Sequence, residues 1–186
     1  LLSVAAQNLF LTISISDGVE MEKLHTPFAT ETVNSRTTKI NVGDLISEES
    51  KDILIQLKLP AIAQNESIVA VDFKVASVHA SWYDVNTASF QHREIALCVR
   101  RMQLVPVDVK PDLKVSLQCA RVKTVDAIAE ASEMAKVNDF EQARARIHEC
   151  LKSVMALVDL AQRADNHIVT ALAMGLANDL QEAIEN

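Results

Sequence analysis

Histidine and cysteine side chains supply most of the groups in this chain that could act as bases, nucleophiles or metal ligands. His79 lies in a stretch of alternating residues, and no Cys, Asp or Glu of that stretch has a spacing that would place it beside His79 on the same face. His148 and Cys150 are two positions apart in a helical pattern, which separates them by roughly 200° around the axis, so they cannot share a metal ion. We therefore predict structural or surface roles for these residues.

The cysteines do not form a recognisable metal or disulfide framework. Cys98, Cys119 and Cys150 are widely spaced, and the sequence contains no CxxC, which excludes a zinc ribbon, zinc finger or RING within it. Three cysteines cannot form a closed set of disulfides. The pattern predicts reduced, mostly buried thiols, as is typical of cytosolic proteins.

An acidic cluster precedes one of the predicted strands and consists of Glu48, Glu49 and Asp52. Paired carboxylates can bind a cation or perform acid–base chemistry. The histidine or further acidic ligand that should accompany them is missing nearby. We interpret the cluster as a solvated turn.

Motifs that bind nucleotides or perform hydrolysis are absent from the sequence. It contains no GxxxxGK[ST], GxGxxG, GxSxG or HExxH, and its 3 glycines leave little material for phosphate-binding loops. We therefore expect no catalytic residue, cofactor site or metal site.

The candidate interaction residues are Trp82 and Tyr83, which could anchor a protein partner. The alternative is a core Trp at the rim of a β-sandwich.

Composition narrows the class of partner. The 186 residues have a net charge of −7, from 18 Lys+Arg against 25 Asp+Glu, and the densest basic stretch, Arg93 with Arg100 and Arg101, is too small to reverse this. An acidic chain is a poor binder of phosphate backbones, so we expect no nucleic-acid partner. No run of about 18 apolar residues exists, so we expect no membrane partner.

Leu1–Ala6 is too short for a signal peptide, and an initiating Met is missing, so we expect a cytoplasmic protein and a piece of a longer chain.

The first half of the chain has the period-two pattern of β-strands, and we assign residues 8–105 to an antiparallel β-sandwich. Turns are predicted at Asp17-Gly18, where Val19–Leu24 would return beside the first strand, and at Val42–Asp44. The apolar phase shifts after Val75, which predicts a bulge or a sharp twist. In the last strand, Ile95, Leu97 and Val99 are predicted to face inward. The strand candidates are Leu9–Ser16, Val19–Leu24, Arg36–Asn41, Lys51–Leu59, Ile68–Trp82 and Glu94–Leu104, with an edge strand or loop over Thr26–Lys39.

The second half has helical periodicity, and residues 112–186 are assigned to a helical domain behind an extended linker at 106–111. Two short breaks, at 137–139 and 164–166, predict an antiparallel three-helix bundle. Asp139 should cap the second helix, and Pro111 should lie in the first turn of the first helix. The predicted buried stripes are Leu113, Leu117, Ala120, Thr124, Ile128, Ala131 and Ala135; Phe140, Ala143, Ile147, Leu151, Val154, Val158 and Ala161; and Val169, Leu172, Leu176, Leu180 and Ile184. The fold class is thus α+β by segments.

Two segments resemble a known family. They are the VGDLISEESKDILIQLKLP stretch at 42–60 and the helical stretch at 127–151 that contains NDFEQAR. Together with the opening LLSVAAQN, they resemble the region after the von Willebrand factor A (VWA) domain in intracellular eukaryotic proteins, including RING-type ubiquitin ligases and proteins that carry a Hint (hedgehog/intein-like) module. The resemblance implies that residues 1–7 are the tail of a preceding VWA-type helix.

The family's catalytic and metal-binding residues have no counterpart in this sequence. The resemblance therefore implies a non-catalytic scaffold or protein-interaction region that supports an adjacent VWA domain, with helical grooves for protein partners or self-association. The alternative is a regulatory or substrate-positioning part of a VWA-containing ubiquitin ligase or Hint self-processing protein. A tetratricopeptide-like pair over 112–185 is a third interpretation, but no second copy at a period near 34 residues is visible.

Overall fold

The chain divides into two compact units, Leu1–Val107 and Asp108–Asn186. A computed structural model describes residues 3–61, 71–102 and 109–185. The predicted linker at 106–111 lies partly outside these ranges, and the first residues of the predicted strand at 68–82 lie outside them. Each unit is described in turn.

The first unit contains two antiparallel sheets. A five-stranded sheet has the order β3-β4-β1-β6-β7, and a two-stranded sheet joins β2 to β5. The strands in the described ranges are β1 (Val4–Ile15), β2 (Glu20–His25), β3 (Ala29–Asn34), β4 (Thr37–Ile46), β5 (Leu54–Lys58), β6 (Val71–Asp84) and β7 (Ser89–Arg101).

The core of this unit lies between the two sheets. β1 and β4 contribute the most deeply buried side chains, because they lie in the middle of the large sheet and alternate apolar residues on one face. The small sheet covers that face. The buried residues are Ile13, Ile15, Val19, Ile40, Val42 and Ala76, packed against Met21, Leu24, Ile55 and Leu57 of the small sheet, among others. The sheets and the helices that follow them confirm the predicted α+β class.

Three details of the β unit differ from the sequence prediction. Val4–Gln7 is the start of β1 and not a helical tail, because its backbone pairs with both β4 and β6. β2 returns to pair with β5 instead of β1, so Asp17-Gly18 connects two sheets. Residues 42–44 continue β4 instead of turning.

Gly43 explains the continuation of β4. Its φ is +78°, and the register between β1 and β4 shifts at this position, so the residues that resembled a turn form a bulge. The side chain of Asn41 accepts a hydrogen bond from the Gly43 amide at 3.1 Å. On the facing strand, the Asn8 amide donates to Asp44 Oδ1 at 3.0 Å. Residues 42–44, whose types predicted a turn, therefore form part of the longer strand β4.

The second unit contains three helices in the described residues: α1 (Leu113–Lys136), α2 (Phe140–Arg163) and α3 (His167–Glu185). Asp112 caps α1 by accepting from the Val115 amide at 2.9 Å, so Pro111 precedes the cap and does not lie in the first turn. Asp139 caps α2 by accepting from the Gln142 amide at 3.3 Å, which confirms the predicted role.

The helices bury one shared apolar core. α1 and α2 are antiparallel, since Glu130 meets Arg146 and Thr124 meets Cys150. The hydrogen bond from Arg146 to Glu130 raises the pKa of that guanidinium, which stays charged. The buried side chains are Leu117, Ala120, Ala127, Ala131, Ala143, Ile147, Cys150, Val154, Leu157, Val158, Ala161, Val169, Ala173, Ala177 and Leu180.

The buried face of α3 is rotated from the predicted stripe. Ala173 and Ala177 lie at its centre, whereas Leu172 is exposed. Small side chains let the helices approach closely, and this outweighs the larger apolar area that Leu172 would bury. Phe140 is likewise exposed at the start of α2. Within the described residues, no helix combines the length and the apolar character needed to cross a membrane.

Candidate interaction surface on the last strand

β7 is the most exposed long element of the β unit. It forms one edge of the five-stranded sheet, with β6 as its strand neighbour. Every residue from His92 to Arg100 is exposed. An edge strand presents a row of backbone N–H and C=O groups that no neighbouring strand engages. This strand therefore offers both side chains and backbone groups to a partner.

One face of β7 carries an apolar row, which we call the inner row: Arg93, Ile95, Leu97, Val99 and Arg101. Ile95 lies opposite Val78 and Leu97 lies opposite Ala76 on β6, so the row continues the core face of the sheet. Yet Ile95, Leu97 and Val99 are 51%, 38% and 42% exposed.

The prediction placed Ile95, Leu97 and Val99 on the correct face of the strand. It was wrong about their burial, because all three are exposed. The small sheet packs over the buried face that β1 and β4 provide, and no β7 residue belongs to the described core cluster. A period-two pattern identifies the core-facing side of a strand, but it does not say how far the covering layer extends.

A bulge in β6 keeps the side chains of the inner row on the core-facing side of the sheet. Lys74 pairs with Cys98 and Ala76 pairs with Leu97, so Val75 is an extra residue on β6. This confirms the bulge predicted from the phase shift after Val75. Because the insertion falls on β6, β7 itself alternates regularly from end to end.

Positive charge borders the apolar part of the inner row. Arg93 lies opposite Ala80, so the residue facing it on β6 is uncharged. The Arg101 guanidinium lies 5.5 Å from the centre of the Phe73 ring. In the chain as described, no carboxylate forms an ion pair with either arginine. The row is thus an exposed aliphatic stripe with a cation at each end.

The opposite face carries an aromatic group, which we call the outer patch: Tyr83, Phe90, His79, His92 and Glu94. Tyr83 and Phe90 meet edge to face with ring centres 5.3 Å apart. His79 and His92 stack with ring centres 6.0 Å apart. Glu94 lies opposite His79 in the strand register. Sequence reasoning missed this carboxylate because it searched only the strand of His79, and the register of the next strand supplies it.

The predicted anchor pair does not form a single surface. Trp82 and Tyr83 are consecutive on β6, so their side chains point to opposite faces. Trp82 lies opposite Gln91 and Tyr83 lies opposite Phe90. Both are half-buried. Only Tyr83 contributes to the outer patch.

The remaining candidate groups do not converge. His148 is exposed and Cys150 is buried, so the two side chains lie on different sides of α2. Glu49 accepts a hydrogen bond from the Ile46 amide at 3.1 Å and lies 3.6 Å from Lys51 Nζ, so it closes a turn. Over residues 3–61, 71–102 and 109–185, no three His, Cys, Asp or Glu side chains are grouped to hold a metal ion.

The three cysteines are free thiols in different environments. Cys150 is buried, Cys119 is half-buried and Cys98 is exposed on the side of β7 opposite the inner row. The prediction that the thiols are mostly buried applies fully to Cys150 alone among the three. Cys119 and Cys150 both line a mainly apolar groove of about 330 Å³ between α1 and α2.

A solved structure is weakly similar to the chain. No protein-family model matches the chain, and no curated protein matches it. The crystal structure of the ArnB paralog VWA2 from Sulfolobus acidocaldarius is similar over 97% of this chain and 43% of that chain, with 16% sequence identity and a TM-score of 0.39. The chain therefore spans less than half of the length of that VWA-named protein.

Proposed function

We propose that this chain is a non-catalytic scaffold and protein-interaction region, which binds protein partners through β7 and supports a neighbouring VWA domain in a larger protein. The observation that carries the proposal is the exposure of β7 from His92 to Arg100, with aliphatic side chains on one face and the outer patch on the other. No nucleic acid, membrane or cofactor is part of the proposal.

The energetics of an edge strand support this role. Folded proteins usually keep edge strands short, charged or covered, because a long apolar edge invites pairing. β7 has 13 residues and leaves Ile95, Leu97 and Val99 exposed. Completing the burial of three aliphatic side chains would stabilise a complex by about 1 kcal/mol each. That gain is sufficient to favour a specific partner.

The non-catalytic part of the proposal is supported by the exposure of the titratable side chains to solvent. Catalytic sites are usually concave and exclude water. The cluster of His79 with His92 and Glu94 is exposed on a sheet face. Turnover by the purified chain in a broad screen of hydrolase and transferase substrates would contradict this part of the proposal.

The VWA neighbour is supported by the place of the family-like segment in the fold. This segment, residues 42–60, contains the β4 bulge and the turn that follows it. Asp44 accepts from the Asn8 amide through its side chain, and its carbonyl oxygen accepts from Lys51 Nζ at 2.9 Å. The Asn8 contact joins β1 to the family-like segment, and the Lys51 contact holds the turn against β4. A family-like segment held in place by such contacts suits a region that supports another domain.

The test is a titration of the separately produced neighbouring VWA domain into the chain. The double variant Ile95→Thr/Leu97→Thr has β-branched residues, which favour strands, at both positions but removes most of the apolar stripe, and it should weaken binding at least tenfold. Val33→Thr, on the opposite edge of the same sheet at 57% exposure, is the matched control and should bind like the wild type. Equal binding by all three proteins, or no binding, would contradict the proposal.

The alternative is a regulatory or substrate-positioning role in a VWA-containing ubiquitin ligase or Hint self-processing protein. It is supported by the resemblance of residues 42–60 and 127–151 to that family. A RING cysteine array or a Hint module in the full-length gene product would favour this alternative. A product with neither would exclude it.

A further inference from the structure

We propose that β7 binds an extended segment of another protein whose strand carries acidic residues eight positions apart, with alternating apolar residues between them. This inference rests on the proposed function, because it specifies the chemistry of the partner. The segment would become a sixth strand of the large sheet, on the free side of β7.

The backbone of β7 supplies the general affinity. An added strand forms main-chain hydrogen bonds with an exposed edge, and its alternate side chains lie on the same face as those of the strand it joins. β7 pairs with β6 over its whole length, from Ser89 opposite Asp84 to Arg101 opposite Val71. It is therefore held extended and in register before a partner arrives, which lowers the ordering cost of binding.

The inner row supplies the specificity. Cross-strand side chains on one face lie roughly 4.5–5.5 Å apart, so apolar residues of the partner would pack beside Ile95, Leu97 and Val99. Arg93 and Arg101 are eight residues apart, which is about 27 Å along a strand. Carboxylates at the same separation would meet both guanidinium groups. The described part of the chain offers these arginines no carboxylate of its own.

Charge argues against a second copy of this chain as the occupant. Antiparallel self-pairing that aligns the apolar residues is centred on Leu97. It places Arg93 of one copy opposite Arg101 of the other at both ends of the inner row. The accompanying approach of Glu94 to Arg100 on the outer face offsets part of this repulsion. β7 nevertheless carries three arginines against one glutamate, so two copies bring like charge together.

The experiment uses the full chain and a fluorescent nine-residue probe peptide. The probe has Glu at its first and last positions, Val or Ile at the third, fifth and seventh positions, and Thr elsewhere. A matched peptide has Lys in place of both Glu residues. By fluorescence anisotropy at low salt, the Glu peptide should bind about tenfold more tightly than the Lys peptide, since two exposed ion pairs are each worth about 0.5–1 kcal/mol.

Reversing the charge of Arg93 and Arg101 tests the inference most strictly. The double variant Arg93→Glu/Arg101→Glu should reverse the preference and bind the Lys peptide more tightly than the Glu peptide. Leu97→Thr should weaken both peptides, and Val33→Thr should leave both unchanged. Circular dichroism and thermal unfolding of each variant check that it is folded, which is expected because none of these positions is buried.

Each outcome decides the inference. Equal affinity for the two peptides, or no reversal with the charge-exchanged variant, would overturn it. A concentration-dependent dimer that Leu97→Thr abolishes would also overturn it, by assigning the edge to a second copy. If the VWA domain binds through β7 while the Glu peptide does not, the acidic-strand inference fails and the proposed function stands. Failure of both would reject both.

Discussion

Leu180 shows how strongly a single buried side chain supports the helical unit. It is 0% exposed, whereas Leu172 on the same helix is 42% exposed. Leu180→Ala removes well-packed methyl groups and leaves a cavity, so it should lower the free energy of unfolding by about 2–5 kcal/mol. Leu172→Ala should cost less than about 1 kcal/mol. Urea denaturation followed by circular dichroism measures both, and equal losses would contradict the assigned face of α3.

The difference between these two leucines also marks a limit of sequence reasoning. Both fit a three-to-four spacing, and both were predicted to be buried. The choice between them depends on Ala173 and Ala177, whose small side chains allow a neighbouring helix to approach. Periodicity within one helix carries no information about the surface of its neighbour. The buried face was therefore set by tertiary packing.

Two glycines in different elements should respond in opposite directions to the same substitution. Gly43 lies in the β4 bulge at a φ of +78°, and no atom would obstruct an added Cβ within 4 Å. Gly43→Ala should therefore destabilise the β unit by about 1 kcal/mol through backbone strain alone. Gly175 lies on the exposed side of α3, also with open space around it. Gly175→Ala should stabilise the helical unit by about 0.5–1 kcal/mol.

Thermal unfolding of the two variants checks the sign of each effect. A stabilising Gly43→Ala would mean that the bulge does not require the left-handed conformation. A destabilising Gly175→Ala would mean that the helix is in closer contact with a neighbour than its exposure indicates.

At the level of elements, local patterns predicted much of the β unit and all three helices. The Val75 bulge and the Asp139 cap were both predicted from the sequence, because each depends on residues within a few positions. The pairing of β2 with β5 was not predicted, since register between distant strands depends on the whole sheet. The outer patch was missed for the same reason. It assembles residues of β6 and β7 through their register.

At the level of the whole molecule, the two units have separate cores. The described core clusters share no residue, and each unit buries its own apolar face. We therefore predict that residues 109–186, expressed alone, form a helical protein with a cooperative thermal transition. Far-UV circular dichroism and calorimetry measure this. A fragment without helical signal would show that the helices depend on the β unit.

The central claim is that β7 is the surface by which this protein engages a partner, and amide hydrogen exchange tests it most directly. Addition of the Glu peptide to the full chain should slow exchange in β7, chiefly between His92 and Arg100, because edge amides gain hydrogen-bond partners. Exchange at β3, on the opposite edge of the sheet, should not change. Protection at β3 or in the helices, with β7 unchanged, would contradict the account.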